Sequence, residues 1–332
     1  MKVATAEVSV GLWVIMLANW AVLCRGALRV GFYGGKCGIA DVEATVAGVV
    51  TGQFVRDPTI VASLLRLQFH DCIVGGCDAS LLLDGMKSEK RATPNLRLRG
   101  YNIIDEAKAA VEKLCPGVVS CADLIAIATR DAVFLGGGGR YDVRTGRRDS
   151  LASAAHNLNS SLPSPSISVS ESIKLFADKG LTPTDMVLLL GAHSVGVVHC
   201  SNIKDGLYNM KNTGRFEPSM DHLLVNELKS RCPENATTDN TVNLDQSSPV
   251  GPFTIDSAYY KQLMSNRGVL KFDQKLTLHP VTRPLVANLA NSLDFPTRFG
   301  AAVVKLGAVG VLTGTSGEIR RSCRVPNGPH LP

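Results

Sequence analysis

Apolar residues recur at the spacing of an α-helix along almost the whole chain, and this pattern constrains the fold most. Ser120 and Thr182 are candidate N-caps of two such segments, and Asp123 takes the third position of a capping box. Strand patterns are few and short, 141–144 among them. The sequence therefore predicts a mainly α fold, with about ten or more helices and very little β-structure. The helical segments are 41–55, 60–70, 103–114, 120–129, 168–179, 184–190, 219–232, 256–267, 280–291 and 296–306.

The first 26 residues have the pattern of a secretory signal peptide. Lys2 precedes an apolar run at 8–23, and small residues precede a cleavage point at Ala27. The run is short for a membrane span, and no later segment replaces it. An uncleaved anchor is the alternative. We expect a secreted protein whose mature part, 27–332, is one domain.

Cysteine usage agrees with secretion. Cys24 leaves with the signal, and an even number remains, which implies four disulfides. Eight cysteines allow roughly a hundred connectivities, so the count alone fixes none. Zinc is disfavoured because the spacings form no paired C-x-x-C clusters. The remaining cysteines are Cys37, Cys72, Cys77, Cys115, Cys121, Cys200, Cys232 and Cys323.

The chain carries a net charge of +6, which falls by one unit when the signal is removed. The cations are scattered rather than run together, so nucleic acid is not expected as a partner. The charge fits generic solubility or an acidic polysaccharide outside the cell. Asn159 and Asn235 each begin an N-x-S/T triplet and are candidate glycosylation sites.

The segment 65–72 is the first candidate site. On a helix, Arg66 and His70 lie four residues apart and share one face. A fixed cation beside a titratable base suits a small neutral substrate, because the base moves a proton and the cation stabilises developing negative charge. Asp71 is expected to open a loop, 71–80, with two carboxylates, a hydroxyl and two cysteines.

His193 is the second candidate. It follows an apolar helical run at 187–192 that is expected to bury it, and Gly191 and Ala192 leave room for a flat group. The alternative is a core histidine bonded to a backbone carbonyl. A buried axial histidine together with an Arg/His pair is the equipment of a haem site that activates peroxide.

Six motifs occur in order, and together they resemble the secretory (class III) plant haem peroxidases from Phe32 to Cys323. The resemblance implies two lobes that sandwich one haem b, hydrogen peroxide as oxidant and small phenolic donors. The haem is expected to be non-covalent, since C-x-x-C-H is absent. The alternatives are a catalytically silent haem or calcium binding protein and a colourless hydrolase. The motifs are LLRLQFHDCIVGGCDASLLLD (64–84), VVSCADLIAIATRDAV (118–133), GRRDS (146–150), LLLGAHSVG (188–196), DQKL (273–276) and LTGTSGEIRRSC (312–323).

The resemblance assigns roles to individual residues on the distal side of the haem. It implies that His70 transfers the peroxide proton, that Arg66 stabilises charge on the leaving oxygen, and that Phe69 stacks beside them. Asn95 would bond the imidazole of His70, with Glu89 as the family's glutamate. The sequence alone would describe both as polar loop residues.

On the proximal side, the resemblance makes His193 the axial ligand and Asp273 the acceptor of its other ring N–H. Asp123 and Arg147 would form a buried ion pair. Pro163 would contact the reducing substrate through its carbonyl.

The resemblance also implies two Ca²⁺ ions and fixes the disulfide pairs. The distal ion would be bound by Asp71, Val74, Gly76, Asp78 and Ser80. The proximal ion would be bound by Ser194, Asp245, Ser248, Thr254 and Asp256. The disulfides would be Cys37–Cys115, Cys72–Cys77, Cys121–Cys323 and Cys200–Cys232.

Several positions depart from the family pattern. Ser194 and Ser248 stand where threonines are usual, so the proximal ion is expected to bind less tightly. Thr93 and 201–202 replace aromatic residues at the haem edge, so the preferred donor stays open among wall phenolics of lignin and suberin, auxin and other phenols, with peroxide removal under stress as a further role. A monomer is expected.

Overall fold

The computed structural model of the chain describes residues 27–247 and 253–328, so the signal segment 1–26 lies outside the described residues. Within those ranges helices dominate and β-structure is limited to two small sheets, which confirms the predicted mainly α fold. The α-helices are α1 (Val42–Arg56), α2 (Ile60–Val74), α3 (Tyr101–Leu114), α4 (Cys121–Leu135), α5 (Leu158–Ser161), α6 (Val169–Asp178), α7 (Pro183–Leu190), α8 (Lys204–Tyr208), α9 (His222–Arg231), α10 (Ala258–Met264), α11 (Lys271–Lys275), α12 (Arg283–Ala290) and α13 (Phe295–Leu306).

Each sheet is one antiparallel pair of strands. β1 (Arg29–Val30) pairs with β2 (Arg144–Thr145), and β3 (Val197–His199) pairs with β4 (Thr241–Asn243). The predicted strand at 141–144 is wrong except for its last residue, and β3 and β4 were not predicted. Strands of two or three residues are too short to show an alternating pattern in sequence.

Helix α2 lies between two hydrophobic cores. Leu64 and Leu67 are buried in the first core, where α1, α3 and α4 pack. Leu65 and Ile73 are buried in the second core, with side chains from α7, α10, α12 and α13. Because two faces of α2 are buried in this way, the helix is fixed in orientation. The side chains on its remaining face are therefore held at the boundary between the cores.

Helix α2 is one turn longer than predicted. The sequence analysis placed Asp71 in a loop, but the helix continues to Val74. Asp71 is buried, and its carboxylate accepts hydrogen bonds from the amides of Ala79 (3.1 Å) and Leu81 (3.4 Å). These hydrogen bonds satisfy the buried carboxylate of Asp71. The local sequence pattern contains no sign of them, so it placed this acid in an exposed loop.

The loop after α2 turns tightly against the end of the chain. Gly76 has φ +118°, and a Cβ there would lie 2.4 Å from the carbonyl oxygen of Gly310. Only glycine allows this approach, which brings the segment 76–80 against the segment that follows α13.

Four disulfides tie these elements together, in the pairs that the resemblance implied. The bond Cys121–Cys323 links the start of α4 to the C-terminal segment across 202 residues. The others are Cys37–Cys115, Cys72–Cys77 and Cys200–Cys232.

The expected ion pair between Asp123 and Arg147 is confirmed. Their closest atoms, Oδ1 and Nη1, are 2.7 Å apart, and both side chains are buried. Ser120 caps α4 as predicted, since its Oγ accepts from the Asp123 amide. The reciprocal bond of a capping box is absent because the Asp123 carboxylate instead accepts from Arg147, the Gly146 amide and the Tyr33 hydroxyl.

Helix α7 begins with a complete capping box. Thr182 Oγ1 accepts from the Asp185 amide at 3.1 Å, and Asp185 Oδ2 accepts from the Thr182 amide at 2.9 Å. Pro183 occupies the first turn, where its missing N–H leaves no bond unmade.

Thr182→Ala should lower the free energy of unfolding by about 1 kcal/mol, because it removes the cap oxygen. Thr182→Ser keeps that oxygen and should retain most of the stability. Urea denaturation of both variants measures the difference. Equal losses in the two variants would show that the methyl group, rather than the cap, stabilises α7.

Candidate active site

Helix α2 places Arg66 and His70 one turn apart, as the spacing predicted. Arg66 Nε donates to His70 Nε2 at 3.2 Å, and Arg66 Nη2 donates to the Pro94 carbonyl at 3.1 Å. The Pro94 bond ties the guanidinium to the segment opposite α2. The imidazole of His70 is buried, whereas Arg66 remains exposed.

Asn95 fixes the tautomer of His70. Its amide oxygen lies 2.6 Å from His70 Nδ1, and its Nδ2 donates to the Glu89 carbonyl at 2.9 Å. An amide oxygen can only accept, so Nδ1 carries the hydrogen and Nε2 keeps its lone pair. The Glu89 carboxylate does not contact His70; it accepts from the Ala154 amide at 2.9 Å. Glu89 therefore acts on the imidazole through its backbone.

The environment keeps His70 neutral. Burial lowers the pKa of the imidazole, the charge of Arg66 lowers it further, and the Asn95 bond opposes both, which leaves the pKa at about 4. At neutral pH the Nε2 atom is therefore an unprotonated base beside a permanent cation.

Phe69 lies next to His70 on α2. Its half-buried ring lies 6.0 Å from that of His70 and stacks on Phe176 at 6.2 Å. Pro163 is half-buried in the segment after α5, and its contact with a donor stays a prediction.

His193 lies in a short 3-10 turn, Gly191–Ser194, that follows the end of α7. Helix α7 ends at Leu190, as predicted, but the expected burial of His193 is only partial, because its side chain is 31% exposed. The space beside Gly191 is also filled: a Cβ there would lie 2.5 Å from the Tyr260 hydroxyl. Gly191 thus serves packing behind the turn and not access for a flat group.

Asp273 orients His193. The carboxylate Oδ2 lies 2.8 Å from His193 Nδ1, and Asp273 is buried on α11. Burial lowers the pKa of His193, but the charge and hydrogen bond of Asp273 outweigh it and raise the pKa overall. With Nδ1 engaged, Nε2 is left as the free ligand atom of the ring.

The two histidine sites are close to each other in the fold. Helix α2 contacts the turn 191–194, and the charge of Arg66 acts on His193 by lowering its pKa. A separate cavity of about 200 Å³ is lined by Met210, Lys271 and Leu278 but by neither histidine. We call the region between α2 and the turn 191–194 the cleft, and it brings the two histidine sites together.

Three acidic residues, one near the end of α2 and two in the segment that follows it, form a buried cluster. Asp71, Asp78 and Glu89 are all buried, and Ser80 Oγ and Glu89 Oε2 have no hydrogen-bond partner. Burial raises the pKa of Asp71 well above its usual value, and the charges of Asp78 and Glu89 raise it further. The Gly76 carbonyl, which accepts from the Asp78 amide, and the C-terminal turn at Val74 complete the set that the resemblance assigned to the distal ion.

The second group of oxygen ligands lies after the His193 turn. Ser194 and Asp245 are buried, and the charge of Asp256 raises the pKa of Asp245, after burial as the larger cause. Thr254 lies two residues before Asp256, and Ser248 lies outside the described residues. In the described ranges, no group of three His, Cys, Asp or Glu side chains is gathered as a metal site.

Of the two sequons, Asn235 is exposed in the turn after α9. Asn159 lies in α5, and its side chain is outside the described set.

The pattern-based analysis found Arg66, His70 and His193 but not their partners. Asn95 and Asp273 carry no local signal, because they reach the histidines from segments 25 and 80 residues away. Only the family resemblance pointed to them.

The chain is similar to known proteins over most of its length. The family model described as Peroxidase matches residues 46–292. Peroxidase 60 of Arabidopsis thaliana is 48% identical over 326 residues, which is 97% of this chain and 96% of the relative. Peroxidase 28 of the same plant is 44% identical over 331 residues, 98% of this chain and 100% of the relative. Peroxidase 5 of Vitis vinifera is 40% identical over 320 residues, 95% of this chain and 96% of the relative.

A mainly α fold, matched over most of its length by plant peroxidases, defines a protein of that class. The chain belongs to the peroxidase family and is similar throughout to class III plant peroxidases. It is an enzyme that reduces hydrogen peroxide at the expense of a donor, and membership of this family implies a haem. Class III plant peroxidases are generally secreted. In the described ranges, none of the helices has the length and apolar character needed to cross a membrane.

Proposed function

We propose that this peroxidase is a secreted, monomeric enzyme that binds one non-covalent haem b and oxidises small phenolic donors in two one-electron steps. The supporting observation is the cleft itself, with the Arg66–His70–Asn95 set on one side and the His193–Asp273 pair on the other. Residues 27–332 would form a single catalytic domain with distal and proximal lobes.

The residues present fit a haem. His193 offers Nε2 as an axial ligand, since Nδ1 is bonded to Asp273 at 2.8 Å. The imidazole of His193 is partly exposed and Arg66 is exposed, so a flat group bound between them would cover both. When bound, the haem supplies the redox chemistry of O–O bond cleavage and the electron transfers that follow.

The chain's own residues move the proton and hold the charge. His70 Nε2 would accept the proton from one oxygen of hydrogen peroxide and return it to the leaving oxygen. Arg66 would stabilise the negative charge that develops on that oxygen. Asn95 directs the proton to Nε2, because its amide oxygen accepts from Nδ1 and so keeps the first hydrogen there.

Two Ca²⁺ ions would neutralise the buried carboxylates. The distal ion would be bound by Asp71, Val74, Gly76, Asp78 and Ser80. The unpartnered hydroxyl of Ser80 and the raised pKa of Asp71 support this site. The proximal ion would be bound by Ser194, Asp245, Ser248, Thr254 and Asp256.

The donors would be phenolics of the cell wall or apoplast, such as precursors of lignin and suberin, or auxin, with peroxide removal under stress as a further role. Pro163 would contact them through its carbonyl. The mild positive charge fits weak attraction to acidic wall polysaccharide, and Asn159 and Asn235 would carry glycans.

Peroxide-dependent oxidation of guaiacol by the purified, haem-loaded protein tests the proposal. We expect a Soret band and turnover of guaiacol. In a second measurement, we expect similar turnover rates across phenols of increasing size. A folded protein with a Soret band but no turnover would instead indicate a silent haem protein. A colourless protein after reconstitution would contradict haem binding itself.

The pH dependence follows from the lowered pKa of His70. The base is neutral above its pKa of about 4 and protonated below it. The value of kcat/KM for hydrogen peroxide should therefore be flat near neutrality and fall about tenfold per pH unit below pH 4. Stopped-flow rates between pH 3 and 8, with the Soret band as a check on integrity, measure this. An inflection near the ordinary histidine value of about 6.5 would contradict the role of burial and Arg66.

A further inference from the structure

Tyr259 on α10 lies beside His193, and none of the roles described above involves it. Its ring is edge-on to that of His193, with centroids 6.2 Å apart and an interplanar angle of 84°. The side chain is buried, and its hydroxyl has no partner that meets hydrogen-bond geometry. A buried hydroxyl without a partner costs about 1–3 kcal/mol, so its position needs a reason.

Asp273, in turn, has a buried acceptor atom without a hydrogen-bond donor. Its Oδ2 holds His193, whereas Oδ1 is buried and also has no partner. The two unsatisfied atoms belong to side chains that both lie against the imidazole of His193. Burial raises the pKa of Tyr259 well above its usual value, and Asp273 raises it further through its charge and as a hydrogen-bond acceptor. One donor and one acceptor, both buried and both unpaired, therefore lie side by side.

We propose that Tyr259 is a positioning residue that donates its hydroxyl hydrogen to Oδ1 of Asp273. The inference rests on the proposed role of His193 as the axial ligand of haem iron. A carboxylate that accepts from two donors gives less negative charge to each of them. Tyr259 thus limits how far Asp273 draws the Nδ1 hydrogen of His193, and so limits the anionic character of the imidazole.

Tyr260 provides a matched control on the same helix. It is also a buried tyrosine, but its hydroxyl donates to the Val187 carbonyl at 2.9 Å. Tyr260→Phe removes a hydroxyl of the same kind and leaves the bonds of Asp273 in place.

The test measures the iron–histidine bond rather than turnover. In Tyr259→Phe, the iron–histidine stretching frequency of the ferrous protein should rise in resonance Raman spectra. The ferric form should also become favoured by up to about tenfold, which for a one-electron couple is a fall in potential of up to 59 mV. Tyr260→Phe should change neither quantity. Site-specific 3-fluorotyrosine at 259 retains the hydroxyl as a more acidic donor, so it should shift both quantities in the opposite direction.

An Asp273→Asn background separates the possible outcomes. Tyr259→Phe should have no further effect there, because the carboxylate that it acts on is gone. Unchanged values in Tyr259→Phe, or the same shift with and without Asp273, would overturn the role of Tyr259. If Tyr259→Phe does not fold, the fluorotyrosine protein decides alone, and an unshifted spectrum overturns the proposal. Failure of the underlying function looks different: the wild-type protein would then lack an iron–histidine band that responds to Asp273→Asn.

Discussion

Replacing His70 with alanine should lower kcat/KM for hydrogen peroxide by a factor of about 10²–10⁴, the usual contribution of a positioned general base. The physical reason is the arrangement around Nε2. The Asn95 bond of 2.6 Å fixes the hydrogen on Nδ1, and a pKa of about 4 leaves Nε2 unprotonated at neutral pH. Among the histidines of the described residues, His70 combines this fixed tautomer with a hydrogen bond accepted directly from a guanidinium.

The loss should not be complete. Arg66 remains in place after the substitution because its Nη2 is held by the Pro94 carbonyl at 3.1 Å, independently of His70. It would still stabilise negative charge on the leaving oxygen, which accounts for a residual rate above that of free haem. Adding Arg66→Leu to His70→Ala should remove most of this residual rate.

His156→Ala is the matched control, since His156 is exposed. Its rate with peroxide should equal that of the wild type. Stopped-flow measurement at pH 7, with the Soret band confirming equal haem content, gives the comparison. An undiminished rate in His70→Ala would show that the proton moves by another route.

The sequence specified the helices better than the contacts between them. Periodicity placed α2 and α7 within a few residues of their observed bounds because each has a strong apolar pattern. The end of α2 was misjudged because Asp71 is satisfied by amides eight and ten residues away. Such a bond depends on the loop folding back, and periodicity contains no information about it.

In the candidate site, too, local spacing could be predicted from the sequence and tertiary contacts could not. Arg66 and His70 could be paired from the sequence because a helix fixes the relation of positions four apart. The partial exposure of His193 could not be predicted, because it depends on the 3-10 turn that follows Leu190 and not on helical periodicity. Asp273 and Tyr259 approach from different helices, so only the tertiary structure brings them to His193.

Removal of calcium is expected to have the largest effect on stability. Asp71, Asp78 and Glu89 lie buried together, and their mutual repulsion adds to the desolvation of each charge. At a calcium concentration about 100-fold above Kd, the bound ion contributes about 2.7 kcal/mol to the free energy of unfolding. Chelation by EGTA at pH 7 should remove this contribution and lower the urea midpoint.

The size of the loss should depend on pH with a definite sign. In the calcium-free protein the pKa of Asp71 is raised above its unfolded value, so the native state binds more protons than the unfolded state between these two pKa values. Stability of the calcium-free protein therefore falls as pH rises through this window. With calcium bound, the ion replaces those protons. EGTA should consequently lower the urea midpoint more at pH 7 than at pH 5.

Two variants separate the distal ion from general acidity. Asp71→Asn should lose part of the calcium response and keep the part that belongs to the proximal ion. Asp178→Asn alters an exposed acid paired with Lys174 and should keep the whole response. A urea midpoint that is the same with calcium and with EGTA would contradict a structural ion at either position.

Calcium removal should also slow the reaction with peroxide, through a short chain of bonds. Glu89 has its carboxylate in the acidic cluster, and its carbonyl accepts from Asn95 Nδ2 at 2.9 Å. Asn95 in turn fixes His70. When the repelling carboxylates separate, Glu89 moves and the orienting bond weakens, so the rate with peroxide should fall even where the haem is retained. Stopped-flow rates before and after chelation, followed by restoration with added Ca²⁺, measure this coupling. A full rate after verified calcium loss would show that the imidazole is oriented without the ion.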